Sequence, residues 1–409
     1  MDTAHYFDWA ATSPTDAEIA RNALEKTLCA FGNPSSVHKA GTEARALLDE
    51  ARSTCAKALG VRPEQLIFTS GGTEADHIPL LSVLTKPTKG KILVSAIEHP
   101  ALREECAMLS RLGYTVEQIN PDRNGFIQPD AVAEKITPDT QFVTVMAVNN
   151  ETGCIQDIHA IADAITTASA GKRKPHFHVD CVQAAGKIPL DIAYRGIDSA
   201  AFSAHKICGP RGIGLLYLAK PVQSFLVGGG QEQNIRSGTE NVFGALALAE
   251  CLNRYYIKKS NTPKSTANTT DTNATVPAQS PLVHFRTQSN WTRAFVSALT
   301  AIPGCTLVPA ARTDAAFEDR FSPYVVQAAF KDIPGNVMVR ALDAKGFCIS
   351  TGSACSAKKQ SRPILQAMGV SRDVQDTAVR FSFGALTTEQ GMKDLLEAVR
   401  DVCATFTGR

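Results

Sequence analysis

A cysteine and a lysine stand in sequence surroundings that suit covalent chemistry. Cys355 lies in the polar run STGSACSAKKQS (350–361), although free cysteines usually lie among apolar neighbours. This composition is typical of an exposed loop, where a thiolate can act as a nucleophile. Lys206 follows a predicted strand in FSAHKICGPRGIG (202–214), and a lysine amine with a lowered pKa attacks aldehydes. Taken alone, Lys206 would be an ordinary surface lysine, so its neighbours decide its interpretation.

Glycine and hydroxyl residues near this lysine indicate an anion site. FTSGGTEADH (68–77) runs from a predicted strand into a predicted helix, with Gly72 and Thr73 at the junction. Glycine exposes backbone N–H groups, and a helix N-terminus carries about half a positive charge, so this junction suits a phosphate. Ser203 and His205, which flank the lysine, would add donors. The segment matches neither the Walker pattern nor GxGxxG, which disfavours nucleotide binding.

Further polar side chains follow two other apolar runs. Asp180 ends an apolar strand in HFHVDCVQAAGK (176–187), where a carboxylate needs a cationic partner such as a protonated pyridine nitrogen. Gln183 could reach a phenolic oxygen, and His99 in AIEHPAL (96–102) could stack on a flat ring or cap a helix. An aldehyde, a phosphate, a pyridine nitrogen and a flat ring occur together in pyridoxal 5′-phosphate (PLP), which lysine binds as a Schiff base. The sequence therefore predicts a PLP site.

Alternating β-branched runs and amphipathic segments would position these residues. The predicted strands cover 67–69, 92–94, 116–119, 142–148, 177–180, 200–203 and 214–218. Helical spacing covers 35–60, 100–112 and 157–170. Buried strands separated by helices predict an α/β fold with a doubly wound, mostly parallel sheet. In such sheets, ligands bind beyond the carboxyl ends of the strands, where the polar residues lie.

The composition predicts two domains joined by a polar segment. Residues 16–258 would form the large domain that holds the sheet. Residues 259–281 are rich in Asn, Thr and Ser, so they cannot bury a core and are interpreted as an insertion or linker. Residues 1–15 together with 282–409 would form a smaller α/β domain, which carries the loop of Cys355.

Charge and cysteine usage exclude several function classes. The 409 residues include 42 basic and 40 acidic side chains, so no electrostatic feature favours nucleic acid or an anionic membrane as a partner. No apolar run approaches the ~20 residues that span a bilayer, and the N-terminus lacks a signal pattern. Eleven cysteines without a CxxC pair predict reduced thiols in the cytoplasm and no structural zinc. His176 and His178 are interpreted as packing residues, since no third metal ligand is near.

The ordered motifs resemble those of one enzyme family. From about residue 6 to residue 390, the chain is similar to cysteine desulfurases of the NifS/IscS-like group, which are PLP enzymes of fold type I in the class-V aminotransferase family. The segments that carry the resemblance are FGNPSS, TSGGTEAD, EHPAL, VNNETGCIQDI, HVDCVQAAGK, SAHKICGPRGIG, GGGQEQNIRSGTEN, STGSACS and VRFSFG.

The resemblance implies a role for each matching residue. Lys206 would be the Schiff-base lysine, His99 would stack on the ring and move protons, and Cys355 would leave with the substrate sulfur as a persulfide. Thr239 would reach the phosphate bound by a neighbouring subunit, which implies a homodimer with shared active sites. The implied cofactor-binding residues are Gly72, Thr73, Asn150, Asp180, Gln183, Ser203, His205, Lys206 and Thr239. The implied substrate-binding residues are Asn33, Asn150, Arg236 and Arg380.

The implied reaction converts L-cysteine to L-alanine and passes sulfur to an acceptor, such as an iron–sulfur scaffold protein or a tRNA-thiolation enzyme. A selenocysteine lyase and an aminotransferase of the same fold are the alternative enzymes, and an aminotransferase has no need of Cys355. A sulfur carrier that has lost catalysis is the non-enzymatic alternative. That alternative predicts damage to Lys206, Asp180 or His99, yet all of them are present.

The chain departs from the family pattern at several positions. His77 stands where relatives usually carry Asn, which puts the geometry near the phosphate in doubt, and Pro79 is expected to interrupt the helix that begins there. Cys154, Cys181 and Cys208 lie next to the motifs and are interpreted as packing thiols.

Overall fold

The computed structural model describes residues 3–258, 280–352 and 362–407. Its larger sheet has seven strands in the order β1-β7-β6-β5-β4-β2-β3. β7 is antiparallel to β1 and β6, and every other neighbouring pair is parallel. The predicted α/β fold with a mostly parallel sheet is therefore confirmed. The strands are β1 (Leu66–Thr69), β2 (Lys91–Ser95), β3 (Thr115–Ile119), β4 (Thr140–Thr144), β5 (His176–Asp180), β6 (Ser199–Ser203) and β7 (Gly214–Leu218).

One predicted strand is too long. The apolar run 142–148 predicts a single strand, but β4 ends at Thr144. Residues 145–148 stay buried and still bond β5, since the N–H of Val145 donates to the carbonyl of His178 at 3.3 Å and the N–H of Ala147 to that of Asp180 at 2.9 Å, but they are no longer regular strand. Hydrophobicity reports burial, which this segment shares with the strand, so the sequence pattern could not locate the strand end.

Helices pack on both faces of this sheet, and five more follow in the C-terminal part of the described chain. α2 begins four residues after the start of the predicted range 35–60, since His38 caps it by accepting from the N–H of Gly41 at 3.3 Å. The expectation that Pro79 interrupts α3 is wrong, because Pro79 lies in the last turn, where it costs one hydrogen bond. The helices are α1 (Ala17–Cys29), α2 (Lys39–Leu59), α3 (Gly72–Leu81), α4 (Pro100–Arg111), α5 (Pro129–Ala133), α6 (Ile158–Ala168), α7 (Val242–Tyr255), α8 (Pro281–Thr300), α9 (Gly335–Asp343), α10 (Pro363–Ala367), α11 (Arg372–Thr377) and α12 (Glu389–Thr407).

A smaller antiparallel sheet follows in the C-terminal part. Its strands, in spatial order, are β10 (Ala378–Ser382), β9 (Val325–Phe330) and β8 (Cys305–Leu307). The N-terminal segment joins this sheet, because the N–H of Phe7 donates to the carbonyl of Cys348 and its carbonyl accepts from the N–H of Ser382, both at 2.8 Å. Phe7 is fully buried there. The next residues, 8–12, therefore run from the small sheet toward the edge of the large one.

The strand directions determine where polar residues collect. β1, β2, β4, β5 and β6 run the same way, so their carboxyl ends lie at one edge of the large sheet. The segments that follow these strands carry the residues that the sequence singled out. Among the described helices, none has both the length and the hydropathy needed to cross a bilayer.

Candidate active site

A cavity of about 260 Å³ lies at this edge of the large sheet. It contains residues that follow different strands, together with the N-terminal segment and Arg380 of β10. The predicted site residues that line it are Gly72, Thr73, His99, Asn150, Asp180, Gln183, Ser203, His205, Lys206 and Arg380. The other lining residues, which the sequence reasoning did not assign, are Ala10, Ala11, Asp76, Met146 and Val182.

Lys206 lines this cavity and bonds the N-terminal segment. It follows β6 directly, in a short turn that spans Ala204–Lys206. Its Nζ donates to the carbonyl of Ala10 at 2.6 Å and to the carbonyl of Ala11 at 2.7 Å. The N-terminal segment thus holds the amine at the edge of the sheet where the carboxyl ends of the strands lie. No periodicity or polar pattern in the sequence marks these two alanines, because they act through their backbone.

His99 caps a helix and also lines the cavity. Its Nδ1 accepts from the N–H of Ala101 at 3.2 Å, at the start of α4. This bond leaves the proton of the neutral ring on Nε2. Burial lowers the pKa of His99 to about 4, and the nearby Lys206 acts in the same direction. The two uses considered for His99 from the sequence, capping and stacking, are therefore compatible with one orientation of the ring.

Asp180, the last residue of β5, is a buried carboxyl group. Its Oδ1 accepts from the N–H of Val182 at 2.8 Å. Burial raises the pKa of Asp180 to about 7, and the nearby Asp76 adds to the rise. The N–H of Val182, His178 and Lys206 act in the opposite direction. A cation placed beside this group would stabilise its ionised form.

Asp76 is the acidic residue of the cavity that the sequence reasoning missed. Its Oδ1 lies 3.0 Å from Nε2 of His178, whose Nδ1 lies 2.8 Å from Oγ of Ser199. Burial raises the pKa of Asp76 well above its usual value and lowers the pKa of His178 to about 4. Both shifts favour the uncharged forms of the two side chains. Asp76 follows Gly72 by four residues, so helical spacing could have placed both on the face toward the cavity.

His176 and His178 make hydrogen bonds inside the protein. Nε2 of His176 lies 2.7 Å from Oγ of Ser199, the hydroxyl that His178 also contacts. Across residues 3–258, 280–352 and 362–407, no group of three His, Cys, Asp or Glu side chains is arranged to hold a metal ion.

Arg380 brings a buried guanidinium into the cavity. Its Nη1 donates to the carbonyl of Asn150 at 3.0 Å, and its Nη2 donates to Oδ1 of Asp8 at 2.8 Å. The residue is only 1% exposed. Among the described residues, Nε of Arg380 and Oδ1 of Asn150 have no hydrogen-bond partner. Leaving a buried polar atom unpaired costs about 1–3 kcal/mol, so both atoms favour a ligand that completes their hydrogen bonds.

The start of α3 brings together groups that suit an anion. Gly72 and Thr73 begin this ten-residue helix, and Ser203 and His205 face them across an adjoining cavity that Arg211 also lines. A Cβ at Gly72 would lie 2.7 Å from Cγ2 of Val182, so the close approach of these segments requires glycine. Unpaired N–H groups of the first helical turn, together with the hydroxyl and guanidinium groups, suit a phosphate.

Some predicted site residues do not line this cavity. Asn33 is exposed, and its Oδ1 accepts from the N–H of Ser35 at 2.9 Å. Arg236 donates from Nε to Oε1 of Glu74 at 3.0 Å and lines a second cavity of about 290 Å³. Thr239 is exposed. Cys355 lies outside the described residues.

His77 lies away from the candidate phosphate site. Its Nε2 lies 3.1 Å from the carbonyl of Ala101 in α4 and 3.7 Å from Oε2 of Glu105. It lines the second cavity rather than the first. The side chain of His77 therefore contacts a neighbouring helix.

The thiols next to the motifs are packing residues, as the sequence predicted. Cys154, Cys181 and Cys208 are buried. Burial raises the pKa of Cys154 to about 12 and the pKa of Cys208 to about 11. At neutral pH these thiols stay protonated, so they are poor nucleophiles.

Known proteins resemble this chain in sequence and in fold. The chain matches the aminotransferase class-V family over residues 5–395. The chain belongs to this family. It is 32% identical over 404 residues to the cysteine desulfurase IscS of Methanosarcina thermophila, with 98% of this chain and 92% of the relative covered. The resemblance to the NifS/IscS-like group is thereby confirmed.

Solved structures extend this agreement. A NifS-like protein superposes with a TM-score of 0.83 at 28% identity, which covers 98% of this chain and all of that chain. SspA in complex with cysteine superposes with a TM-score of 0.74 at 25% identity, over 94% of this chain and all of SspA. The chain therefore shares its fold with these proteins along almost its whole length.

Proposed function

We propose that this chain is a PLP-dependent cysteine desulfurase, which converts L-cysteine to L-alanine and transfers the sulfur to its own Cys355. The observation that carries the proposal is the grouping of Lys206, Asp180, His99 and the incompletely bonded Arg380 around one cavity. The relatives named cysteine desulfurase cover nearly the whole chain, which supports the same activity here.

The cavity fits the chemical groups of PLP. The Lys206 amine would bind the aldehyde, and the buried carboxyl group of Asp180 would face the cationic ring nitrogen. The helix start at Gly72 and Thr73 would hold the phosphate, with Ser203 and His205 beside it. When bound, PLP supplies an electron sink for the bond changes at the substrate carbons. A pyridinium next to Asp180 would lower the pKa of that carboxyl group and keep it ionised.

Arg380 would bind the carboxylate of L-cysteine. A guanidinium matches a carboxylate in geometry, and Arg380 is already oriented by Asn150 and Asp8. Its Nε and the side-chain oxygen of Asn150 remain to be bonded, so a substrate with both acceptor and donor groups would satisfy them. This position would place the substrate amine and its thiol on the side of Lys206.

Two groups of the cavity can move the proton of the substrate α-carbon. With the substrate bound, the Lys206 amine would accept this proton at Nζ. His99 is neutral at neutral pH, because burial lowers its pKa, and it carries its proton on Nε2. It could therefore donate there while Lys206 accepts.

Cys355 would take the sulfur as the substrate carbon–sulfur bond breaks. The thiolate forms the new sulfur–sulfur bond, and L-cysteine with an enzyme thiol becomes L-alanine with an enzyme persulfide. The small domain proposed for residues 1–15 and 282–409 would carry this residue. An iron–sulfur scaffold or a thiolation enzyme would then receive the sulfur. The described cysteines are free thiols, which suits a reducing compartment such as the cytoplasm.

A product assay tests the proposed activity. We expect the purified protein, supplied with PLP and L-cysteine, to release L-alanine and sulfur in equal amounts when a thiol reductant is present. L-aspartate with 2-oxoglutarate serves as the aminotransferase control, and L-selenocysteine tests the lyase alternative. Formation of glutamate from 2-oxoglutarate, with no alanine or sulfur released from L-cysteine alone, would show an aminotransferase instead. A protein that gains no visible absorption band with PLP would support the non-enzymatic alternative.

We further propose that the active sites form in a homodimer, with Thr239 reaching the phosphate site of the partner copy. Thr239 is exposed and absent from the cavity of its own chain. The nearby run Phe225, Leu226 and Val227 is 49%, 66% and 83% exposed, and a second copy of the chain would cover these apolar side chains.

Mixed dimers test whether the partner completes the site. Thr239→Val and Lys206→Ala, each nearly inactive alone, are expected to recover about a quarter of the wild-type activity when refolded together in equal amounts. Half of the mixture would be mixed dimers, and each of these would hold one intact site and one doubly altered site. Absence of any recovery, with dimers present by size-exclusion chromatography, would contradict the sharing of Thr239.

A further inference from the structure

A second buried lysine lies beside the candidate active site. Lys187, in the turn that follows β5, is 5% exposed. Its Nζ donates to Oε1 of Gln183 at 2.5 Å. Gln183 itself lines the cavity and is 4% exposed. A buried cation is costly, so its retention next to a cavity residue calls for a role.

The bond from Lys187 determines which way the Gln183 amide points. A lysine ammonium has donors and no acceptor, so it can face only the amide oxygen. The amide nitrogen, Nε2, must then point the other way, and it donates to the carbonyl of Ala10 at 2.9 Å. That carbonyl also accepts from Nζ of Lys206 at 2.6 Å. A continuous hydrogen-bonded chain thus connects the two lysines through one amide and one carbonyl.

Lys187 lies near other charged or titratable groups. The groups that act on it are Lys206 and Arg380, which are cations, and the thiol of Cys208. Burial lowers the pKa of Lys187 to about 7, and Lys206 and Arg380 add to this effect. Protonated or neutral, the amine keeps an N–H donor for Oε1 of Gln183, so the hydrogen-bonded chain does not depend on its charge.

We propose that Lys187 is a positioning residue for the active site: its bond to Oε1 orients the amide of Gln183, so that the amide nitrogen faces the cavity side. One hydrogen of this nitrogen bonds the Ala10 carbonyl, and the second is then a donor for an oxygen of a ligand in the cavity. This inference rests on the proposed PLP site. It assigns no contact with the substrate to Lys187.

Spectroscopic titration of PLP binding tests this role in Lys187→Met and Lys187→Gln. The visible band of the lysine-bound cofactor is followed against PLP concentration. Loss of the oriented amide should weaken PLP binding by about tenfold. Lys187→Arg keeps an N–H donor for Oε1 of Gln183 and is expected to keep most of the wild-type affinity for PLP.

Lys91→Met is the matched control. Lys91 is 9% exposed, its Nζ donates to the carbonyl of Lys135 at 2.8 Å and lies 2.6 Å from Oε2 of Glu117, and it does not line the cavity. It should leave the affinity for PLP unchanged. Thermal unfolding of the PLP-free proteins checks folding, and both variants should unfold somewhat earlier than the wild type, because each leaves a polar partner of the removed amine without its bond.

A double substitution tests whether Lys187 acts through Gln183. In a Gln183→Leu background, Lys187→Met should weaken PLP binding no further. A Lys187→Met protein with the wild-type PLP affinity would overturn the inference while leaving the proposed function intact. A wild-type protein that forms no band with PLP would overturn both.

Discussion

Lys206→Ala is expected to lose covalent PLP and to lower the production of alanine from L-cysteine by roughly 10⁴-fold or more. The side chain has two proposed functions, since it binds the cofactor aldehyde and accepts the α-proton at Nζ. No nearby group can replace it, because Lys187 is turned toward Gln183 and His99 cannot form the same linkage at its position. Borohydride reduction followed by peptide mass spectrometry would measure the covalent adduct on residue 206 directly.

Two further proteins complete the Lys206 experiment. Lys206→Arg keeps a cation that can reach the carbonyls of Ala10 and Ala11, but it lacks a nucleophilic amine, so it should be as inactive as the alanine variant. Lys172→Ala removes an exposed lysine and should behave as the wild type. A reduced adduct that persists in Lys206→Ala on another lysine would show that the wrong residue was assigned.

Cys355→Ser should abolish persulfide formation and lower desulfuration by about 10³-fold or more, since a neutral hydroxyl is a far weaker nucleophile toward sulfur than a thiolate. PLP binding and its visible band should stay as in the wild type, because Cys355 is assigned no part in holding the cofactor. Alanine release and persulfide on the protein, detected by thiol labelling and mass spectrometry, would be measured after one addition of L-cysteine.

Cys348→Ser is the matched control for this variant. Cys348 lies seven residues before Cys355 and is partly exposed, and its backbone pairs with Tyr6 at the edge of the small sheet. We expect wild-type turnover from Cys348→Ser. Unchanged turnover in Cys355→Ser would refute the assigned nucleophile.

The order and type of the main elements were predictable from local patterns. Short β-branched runs separated by helical spacing predict the strands of the large sheet, and each of these strands exists within a few residues of its expected position. A parallel sheet exposes its carboxyl ends at one edge, so residues such as Asp180 and Lys206 could be grouped before any contact was known. The resemblance to cysteine desulfurases then added residues from distant segments, including Asn150 and Arg380.

Local patterns failed wherever a contact depends on backbone atoms or on distant partners. The carbonyls of Ala10 and Ala11 bond Lys206, which lies almost two hundred residues later in the chain. The side chains of these alanines give no sign of this contact in the sequence. Asp76 was missed because its role arises from burial against His178, which lies on another element. Thr239 is a similar case. Its motif predicts a contact with a phosphate, but only the fold shows that it is exposed and does not line the cavity of its own chain.

Amino-acid types and their spacing thus sufficed for the fold class, for the edge of the sheet where the site residues collect and for the kind of cofactor that these residues suit. The three-dimensional arrangement alone established the hydrogen-bonded chain from Lys187 through Gln183 to the Ala10 carbonyl. It alone also showed that Nε of Arg380 has no partner among the described residues. The physical reason is one of range. Periodicity and turn chemistry act over a few residues, whereas the orientation of an amide or the desolvation of a charge depends on every atom packed around it.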